Sequence, residues 1–247
     1  MQDICIALAS APFVNGRREE NLRTMLAFME EAAENGADLI CFGESFLQGF
    51  DTLCWDYAAD RDVAVTVDSS EVRRIREASV RLGVDVMLGY IEREGEKLYS
   101  SCMLVEKGKV TRNYHRMSVG WLEYSKTDNH YREGAAPLLF DYRGWKCSIA
   151  LCGDLWDVTQ DAFRLGEEIL FWPLYCSYTR EEWLSGTLDE YAQQCKDHAP
   201  LTLMINSICE GDSVGGCAVY QQGRVAQLLE PGTVGLLYVR PLPMMKG

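Results

Sequence analysis

The segment Cys147-Ser-Ile-Ala-Leu-Cys-Gly-Asp-Leu-Trp-Asp157 ends an apolar run abruptly on Cys152 and Gly153. Small and branched residues in such a run suit a strand covered on both faces. A thiol at the C-terminal end of that strand projects into the crevice where open α/β sheets bind ligands. Gly153 leaves its backbone N–H open to a ligand. A free cysteine is more often a small buried hydrophobe than a nucleophile, so Cys152 needs support from the rest of the chain.

Toward the N terminus, residues 3–9 read as a short apolar strand, broken at Asn15-Gly16 before a helix over residues 17–35. Leu22, Met25, Leu26, Met29, Ala32 and Ala33 recur at helical spacing. Glu19 and Glu20 occupy the first turn, where the helix dipole favours acids, and Gly36 suits the C-terminal cap. Residues 37–42 form a second buried strand that delivers Gly43 and Glu44 to its end. Most glutamates belong on solvated surfaces, yet Glu44 stands at the same kind of strand end as Cys152. The two runs are expected as parallel neighbours in one sheet, with both side chains converging on one pocket.

Ser69 or Ser70 caps a helix over residues 70–82, with Val72, Ile75, Ser79 and Leu82 on one face and Gly83 closing it. Strands over 84–91, 98–105 and 110–114 follow, turned at Glu94-Gly95 and Lys107-Gly108. Residues 114–130 mix aromatic and charged side chains without a period, as a loop over a crevice does. Beyond Asp157 come a short helix ending near Gly166, a strand over 169–172, a long helix over 180–198 and a strand over 201–206. Antiparallel strands over 216–220, 224–229 and 235–239 close the chain, turned at Gln222-Gly223 and Pro231-Gly232.

A length of 247 residues suits one α/β domain, and 47% hydrophobic with 25% charged residues is an ordinary globular balance. No apolar stretch is long enough to span a bilayer. The N terminus lacks a basic segment and a small-residue cleavage site, so a cytoplasmic protein is expected. The ten cysteines are scattered without a Cys-x-x-Cys pair, and there are three histidines. Reduced thiols are therefore expected, with no zinc site, disulfide framework or cofactor. A net charge of -13 without a basic cluster argues against nucleic acid as a partner.

Several separated stretches together resemble the nitrilase, or carbon-nitrogen hydrolase, superfamily over nearly the whole chain. Gly36-Ala-Asp-Leu-Ile-Cys-Phe-Gly-Glu-Ser-Phe-Leu-Gln-Gly-Phe50 is similar to the segment bearing the family's catalytic glutamate, which falls on Glu44. Leu151-Cys-Gly-Asp-Leu-Trp156 is similar to the nucleophile segment, and its ending to that of the glutamine-hydrolysing domains of glutamine-dependent NAD synthetases. Ile205-Asn206 and residues 216–225 resemble late family strands, and Trp172-Pro173 stands where the family often has Val-Pro. The resemblance implies a four-layer α-β-β-α sandwich and a cysteine-dependent amidohydrolase.

The chain departs from the family at one catalytic position. Where the family carries a lysine after a tyrosine and a basic residue, this sequence reads Tyr114-His115-Arg116. The family also places a supporting glutamate before an aromatic-x-x-Gly motif, here Tyr131-Arg-Glu-Gly134, and that acid falls on Glu123 or on Asp128. The Arg-Ala-x-Glu-Asn helix segment is replaced by Ala192-Gln-Gln-Cys-Lys-Asp-His198.

Amide hydrolysis at neutral pH needs a strong nucleophile, a base that later returns the proton, and positive partners for the oxyanion. Cys152, Glu44 and the Gly153 N–H fill those places. A carboxylate in a dry crevice can be raised toward the operating range, so one glutamate can act as base and then as acid. Arg116 supplies charge, but its planar guanidinium is bulkier than an ammonium and effectively never deprotonated. A positive neighbour favours the thiolate, which makes Cys152 the expected first target of an alkylating reagent.

Two functions follow: hydrolysis of a small amide or carbamoyl compound through a thioester, or ligand binding on the same fold without turnover. A Cys–His hydrolase using His115 or His198 lacks the supporting Asn or Asp motif. Trp183, Leu184, Leu188 and Tyr191 on the long helix offer a surface through which the chain would form a homo-oligomer.

Overall fold

The structure, a computed structural model, describes residues 2–157 and 160–242. Thirteen strands are found among them: β1 Ile6–Ser10, β2 Pro12–Phe13, β3 Leu39–Cys41, β4 Asp85–Glu94, β5 Lys97–Glu106, β6 Lys109–His115, β7 Leu138–Tyr142, β8 Trp145–Ile149, β9 Ile169–Leu174, β10 Leu201–Cys209, β11 Ser213–Gln221, β12 Arg224–Leu229 and β13 Gly235–Val239. The helices are α1 Arg18–Glu34, α2 Tyr57–Val63, α3 Ser70–Leu82, α4 Asp154–Asp157, α5 Arg180–Glu182 and α6 Leu188–Cys195. One sheet runs β13-β1-β3-β4-β5-β6, and the other β12-β11-β10-β9-β8-β7, with β2 added beside β10.

The period of two along the strands builds the layers. Ile6, Leu8, Leu39, Cys41 and Met87 of the first sheet share one apolar cluster with Cys147, Ile149, Leu170 and Trp172 of the second, so the sheets pack face to face. The alternate residues Ala7, Ala9, Ile40, Val86 and Leu88 turn outward onto Leu22, Met25 and Met29 of α1 and Val72 and Ile75 of α3. On the far side of the second sheet, Leu188, Tyr191, Ala192 and Cys195 of α6 are buried. The four layers are α-β-β-α, the sandwich that the family resemblance implied.

Local signals explain the elements. The Ser69 hydroxyl caps α3 at 3.3 Å from the Val72 N–H, and Gly83 ends it in the left-handed conformation at φ 71°. The long helix expected over 180–198 is interrupted instead. Residues 183–187 form a wide π-type turn in which Gly186 is non-helical at φ 150°. Positions five apart in an α-helix point about 140° away from each other; the wide turn brings Trp183 and Leu188 onto the same buried side. Trp183, Leu188 and Tyr191 are thus spent on the chain's own core and Leu184 alone stays exposed, which removes most of the surface assigned to self-association. The pairing of β2 and the strand β7 carried no clear alternation in the sequence.

Candidate active site

Glu44 follows β3 by a backbone that only glycine permits. A Cβ on Gly43 would stand 2.8 Å from the Leu174 carbonyl oxygen, and one on Gly89 would stand 2.6 Å from the Glu44 Cα. Ser45, the next residue, holds a left-handed φ of 50°. The result is a fully buried carboxylate. Its Oε1 accepts from the Ser100 hydroxyl at 2.7 Å and from Arg116 Nη1 at 2.9 Å, and Oε2 accepts from the same nitrogen at 3.2 Å.

Cys152 lies beyond β8, in a turn at φ 40°, a strained conformation for a non-glycine residue and one that concentrates at functional sites. The expected pairing of the two strands as neighbours in one sheet is not what forms: β3 belongs to the first sheet and β8 to the second. Glu44 and Cys152 meet across the sandwich, at the end of β9. The Cys152 N–H donates to the Pro173 carbonyl at 3.0 Å, and the Glu44 N–H donates to the next carbonyl, Leu174, at 3.1 Å. Trp172 Nε1 further fixes the turn by donating to the Cys152 carbonyl at 2.9 Å. Among the described residues the Gly153 N–H meets no acceptor, which leaves it free for an oxyanion.

Arg116 is buried, and its backbone is held on both sides: its N–H donates to Ser100 O at 2.8 Å and its carbonyl accepts from Gly134 N at 2.7 Å. Nε donates to the Ser118 hydroxyl at 2.6 Å. Nη2 has no protein acceptor among the described residues. Burial works against its charge, but Glu44 and Cys152 beside it outweigh this and hold the guanidinium above its ordinary pKa.

Two residues of the site were not singled out by the sequence. Asp154 is fully buried, and its carboxylate accepts from Leu151 N at 2.8 Å, Met117 N at 2.9 Å, Ser118 N at 2.7 Å and the Tyr114 hydroxyl at 2.6 Å. It ties the cysteine turn to the arginine loop. Burial raises its pKa against those four donors. Cys176 is the other. Asn206 grips its backbone, accepting from its N–H at 3.1 Å and donating to its carbonyl at 3.3 Å, and its sulfur lies 3.2 Å from the Tyr191 hydroxyl. The Cys152 sulfur lies 3.7 Å from the carbonyl of Tyr175, immediately before it. The neighbouring Cys176 thiol, burial and Glu44 push the Cys152 thiol up, with Arg116 alone opposing them. The neighbouring Cys152 thiol and the Tyr191 hydroxyl bring Cys176 below the ordinary thiol range.

Other assignments do not reach the cluster. Glu123 is exposed and its carboxylate accepts from Ser125 at 2.8 Å, and Asp128 is exposed and bonded to His130 at 2.8 Å. Neither contacts Arg116, because both side chains point to solvent; the arginine bonds to the Ser118 hydroxyl and the Glu44 carboxylate instead. His115 donates to Glu92 at 2.9 Å. His198 is buried near Phe163, and burial lowers its pKa. Among the described residues no group of three or more His, Cys, Asp and Glu side chains could hold a metal, and no helix is long and apolar enough to cross a membrane.

The carbon-nitrogen hydrolase family pattern matches residues 5–183, and the chain belongs to that family. An arylacetone-specific nitrilase of Alcaligenes faecalis is 36% identical over 90 residues, 32% of this chain and 25% of that protein. A glutamine-dependent NAD(+) synthetase of Thermotoga maritima is 22% identical over 173 residues, 68% of this chain and 29% of that protein. The alignments thus span a quarter to about a third of these relatives. In fold, an amidase from Nesterenkonia sp. AN1, solved with acrylamide added to its active-site cysteine, superimposes with a TM-score of 0.78 at 20% identity, covering 97% of this chain and 93% of that one. The glutamine-dependent NAD+ synthetase of Acinetobacter baumannii superimposes at 0.74 and 18% identity, over 96% of this chain and 45% of the other.

Proposed function

We propose that the chain hydrolyses the carbon–nitrogen bond of a small amide or carbamoyl compound through a thioester on Cys152. The observation that carries this reading is the convergence of Glu44, Arg116 and Cys152, from separate segments of two sheets, on the end of β9. Attack starts from the Cys152 thiol with its proton in place; the neighbouring Cys176 thiol, burial and Glu44 push that thiol up, and Arg116 opposes them. As the sulfur bonds to the substrate carbonyl carbon, Glu44 takes that proton. The oxyanion is met by the Gly153 N–H and by Nη2 of Arg116. Collapse breaks the C–N bond, and Glu44 returns the proton to the leaving amine. Water, deprotonated by Glu44, then cleaves the thioester, and the proton goes back to Cys152.

The positive group differs from the ammonium expected at this position in the family. A guanidinium donates through several nitrogens in a fixed plane, so Arg116 can hold Ser118 and Glu44 with two of them and still present the third. The same occupancy supports a second reading, a cleft that binds an amide-like ligand without turnover, since the fork is bulkier than an ammonium. Ammonia release from a panel of small amides, ureas and nitriles tests the first reading. Turnover in the parent, absent in Cys152→Ala, with an acyl adduct on Cys152 in the intact-mass spectrum, is the expected result. A parent silent on every compound, yet stabilised thermally by one of them, would replace hydrolysis by binding.

A further inference from the structure

We propose that Cys152 and Cys176 are an oxidation site within the cleft, joined reversibly into a disulfide by a hydroperoxide. All ten cysteines are free; seven are buried, Cys54 is exposed, and the two that are half-buried are Cys152 and Cys176. The Cys152 sulfur lies 3.7 Å from the carbonyl of Tyr175, the residue before Cys176, and each of the two thiols shifts the titration of the other. Their backbones hang from adjoining parts of one segment, Cys152 from the Pro173 carbonyl and Cys176 three residues further on, clamped by Asn206. The core thiols offer a contrast. Cys41, Cys102, Cys147 and Cys217 are sealed between the sheets, where burial pushes each thiol up. Oxidation requires thiolate character and access together.

The attacking group is the Cys176 thiolate: the neighbouring Cys152 thiol and the Tyr191 hydroxyl, whose oxygen lies 3.2 Å from the Cys176 sulfur, hold that thiol below its ordinary range. It attacks one oxygen of the hydroperoxide; the O–O bond breaks, the second oxygen leaves with a proton as the alcohol or water, and Cys176 becomes a sulfenic acid. Cys152, giving its proton to Glu44, attacks the Cys176 sulfur. The S–O bond breaks, and hydroxide leaves and takes the proton from Glu44 as water. Two thiols and one hydroperoxide give one disulfide, one alcohol and one water, with each sulfur oxidised by one electron. A dithiol reductant reverses the bond. Silencing of turnover by this bond rests on the reading of Cys152 as the nucleophile; the bond itself does not.

The experiment treats the full chain briefly with hydrogen peroxide, blocks remaining thiols with N-ethylmaleimide, and maps peptides without reduction. A peptide pairing Cys152 with Cys176, two hydrogens lighter than its parts and lost on dithiothreitol treatment, is expected. Phenylarsine oxide, which bridges paired thiols, should add one arsenic per chain to the parent and none to Cys176→Ser. Where turnover is measurable, peroxide should abolish it and dithiothreitol restore it, and in Cys176→Ser the loss should no longer be recovered. Recovery of the two residues only as sulfinic or sulfonic acids, or of either one joined to a different cysteine, would overturn the proposal. A cross-link in a chain without turnover would sink the hydrolase reading alone, and turnover without a cross-link would sink this one alone.

Discussion

Two buried glutamates sit on opposite faces of the first sheet and are built from neighbouring positions. Glu44 takes its hydroxyl donor from Ser100 and its cation from Arg116. Glu92 takes them from the next residue of β5 and the preceding residue of the β6 segment: Ser101 at 2.7 Å and His115 at 2.9 Å. Asn113 adds bonds to both Glu92 oxygens, at 2.8 and 2.7 Å, and the His115 ring lies stacked on Tyr99, 4.0 Å between centroids. Alternation along the strands decides which is which, since a shift of one residue exchanges the faces. The outward carboxylate is satisfied wholly within its own sheet. The inward one faces a second sheet, and that sheet brings a thiol. Whether a carboxylate meets the thiol is set by the face its residue points to, more than by the residue type.

The sharpest way to break the contrast is to neutralise each carboxylate in turn. Glu44→Gln should cost roughly a hundred- to ten-thousand-fold in turnover, the usual contribution of a positioned base. Glu92→Gln should leave turnover close to the parent's and cost about 1–3 kcal/mol in stability by denaturant titration, as donors around it lose their partner. Equal losses of turnover from both would end the distinction between the faces.

Removing the inward cation comes next. Arg116→Ala should lower kcat on the order of a hundred- to a thousand-fold, the effect of losing one oxyanion donor. Arg116→Lys separates shape from charge, because it retains the charge and restores the family's residue. Should the parent be silent, a gain of ammonia release in Arg116→Lys would locate the block in the guanidinium. An active parent unmoved by Arg116→Ala would take the arginine out of the mechanism.

A smaller effect is expected at Asp154, which touches neither the carboxylate nor the thiol but holds the backbone of the cysteine turn and of the arginine loop. Asp154→Asn retains the shape and weakens charge-assisted bonds that net about 1.5–3 kcal/mol each. Turnover should fall less than in Arg116→Ala, and circular dichroism should remain native. A change equal to that of Arg116→Ala would mean that the arginine loop has no other support.

The smallest effect is a pH dependence on the outward face. Burial works to raise Glu92, but the bonds from His115, Ser101 and Asn113 outweigh it and leave the carboxyl lowered. A lowered carboxyl contributes stability above its unfolded pKa and loses it as the pH falls through the folded value. The advantage of the parent over Glu92→Gln should therefore be full at neutral pH and shrink in acid, below the usual carboxylate range. An advantage that stays constant into strong acid would show that Glu92 is held by packing and not by its charge.

How much of this the sequence revealed follows from range. The helix over residues 70–82 carries its cap, its stripe and its terminal glycine locally, and it forms at those bounds. Cys152 and Glu44 were legible as strand ends because their apolar runs stop on glycine or before it. Their placement in different sheets was not, since pairing partners lie far apart in the chain. The broken helix escaped notice because Gly186 reads as an ordinary interior glycine until Trp183 is known to be buried. Glu123 was assigned by the family resemblance, as an acid upstream of the Tyr131-Arg-Glu-Gly134 motif, and a motif says nothing about whether the loop before it folds inward. Cys176 had no signal of its own; only the three-dimensional course of the segment after Trp172-Pro173 brings it to Cys152.

The short strand β2 has a bearing on how the two sheets share the work. β1 is bonded within the first sheet, and two residues later Pro12–Phe13 pair with Ile208 and Cys209 of the second. The Ala11 carbonyl accepts from Ile208 N at 2.9 Å, and the Ser10 hydroxyl accepts from Gly216 N at 2.9 Å. The chain thus bolts one sheet to the other through its own backbone, close to the edge where Glu44 and Cys152 meet. Sliding of the sheets would shear those bonds, so alignment across the cleft does not depend on side-chain packing alone. A hollow cut into the core between the sheets should make the protein melt sooner while leaving the reach from carboxylate to sulfur unchanged, whereas loosening the stretch around Ala11 should misalign the site in a protein that still melts late.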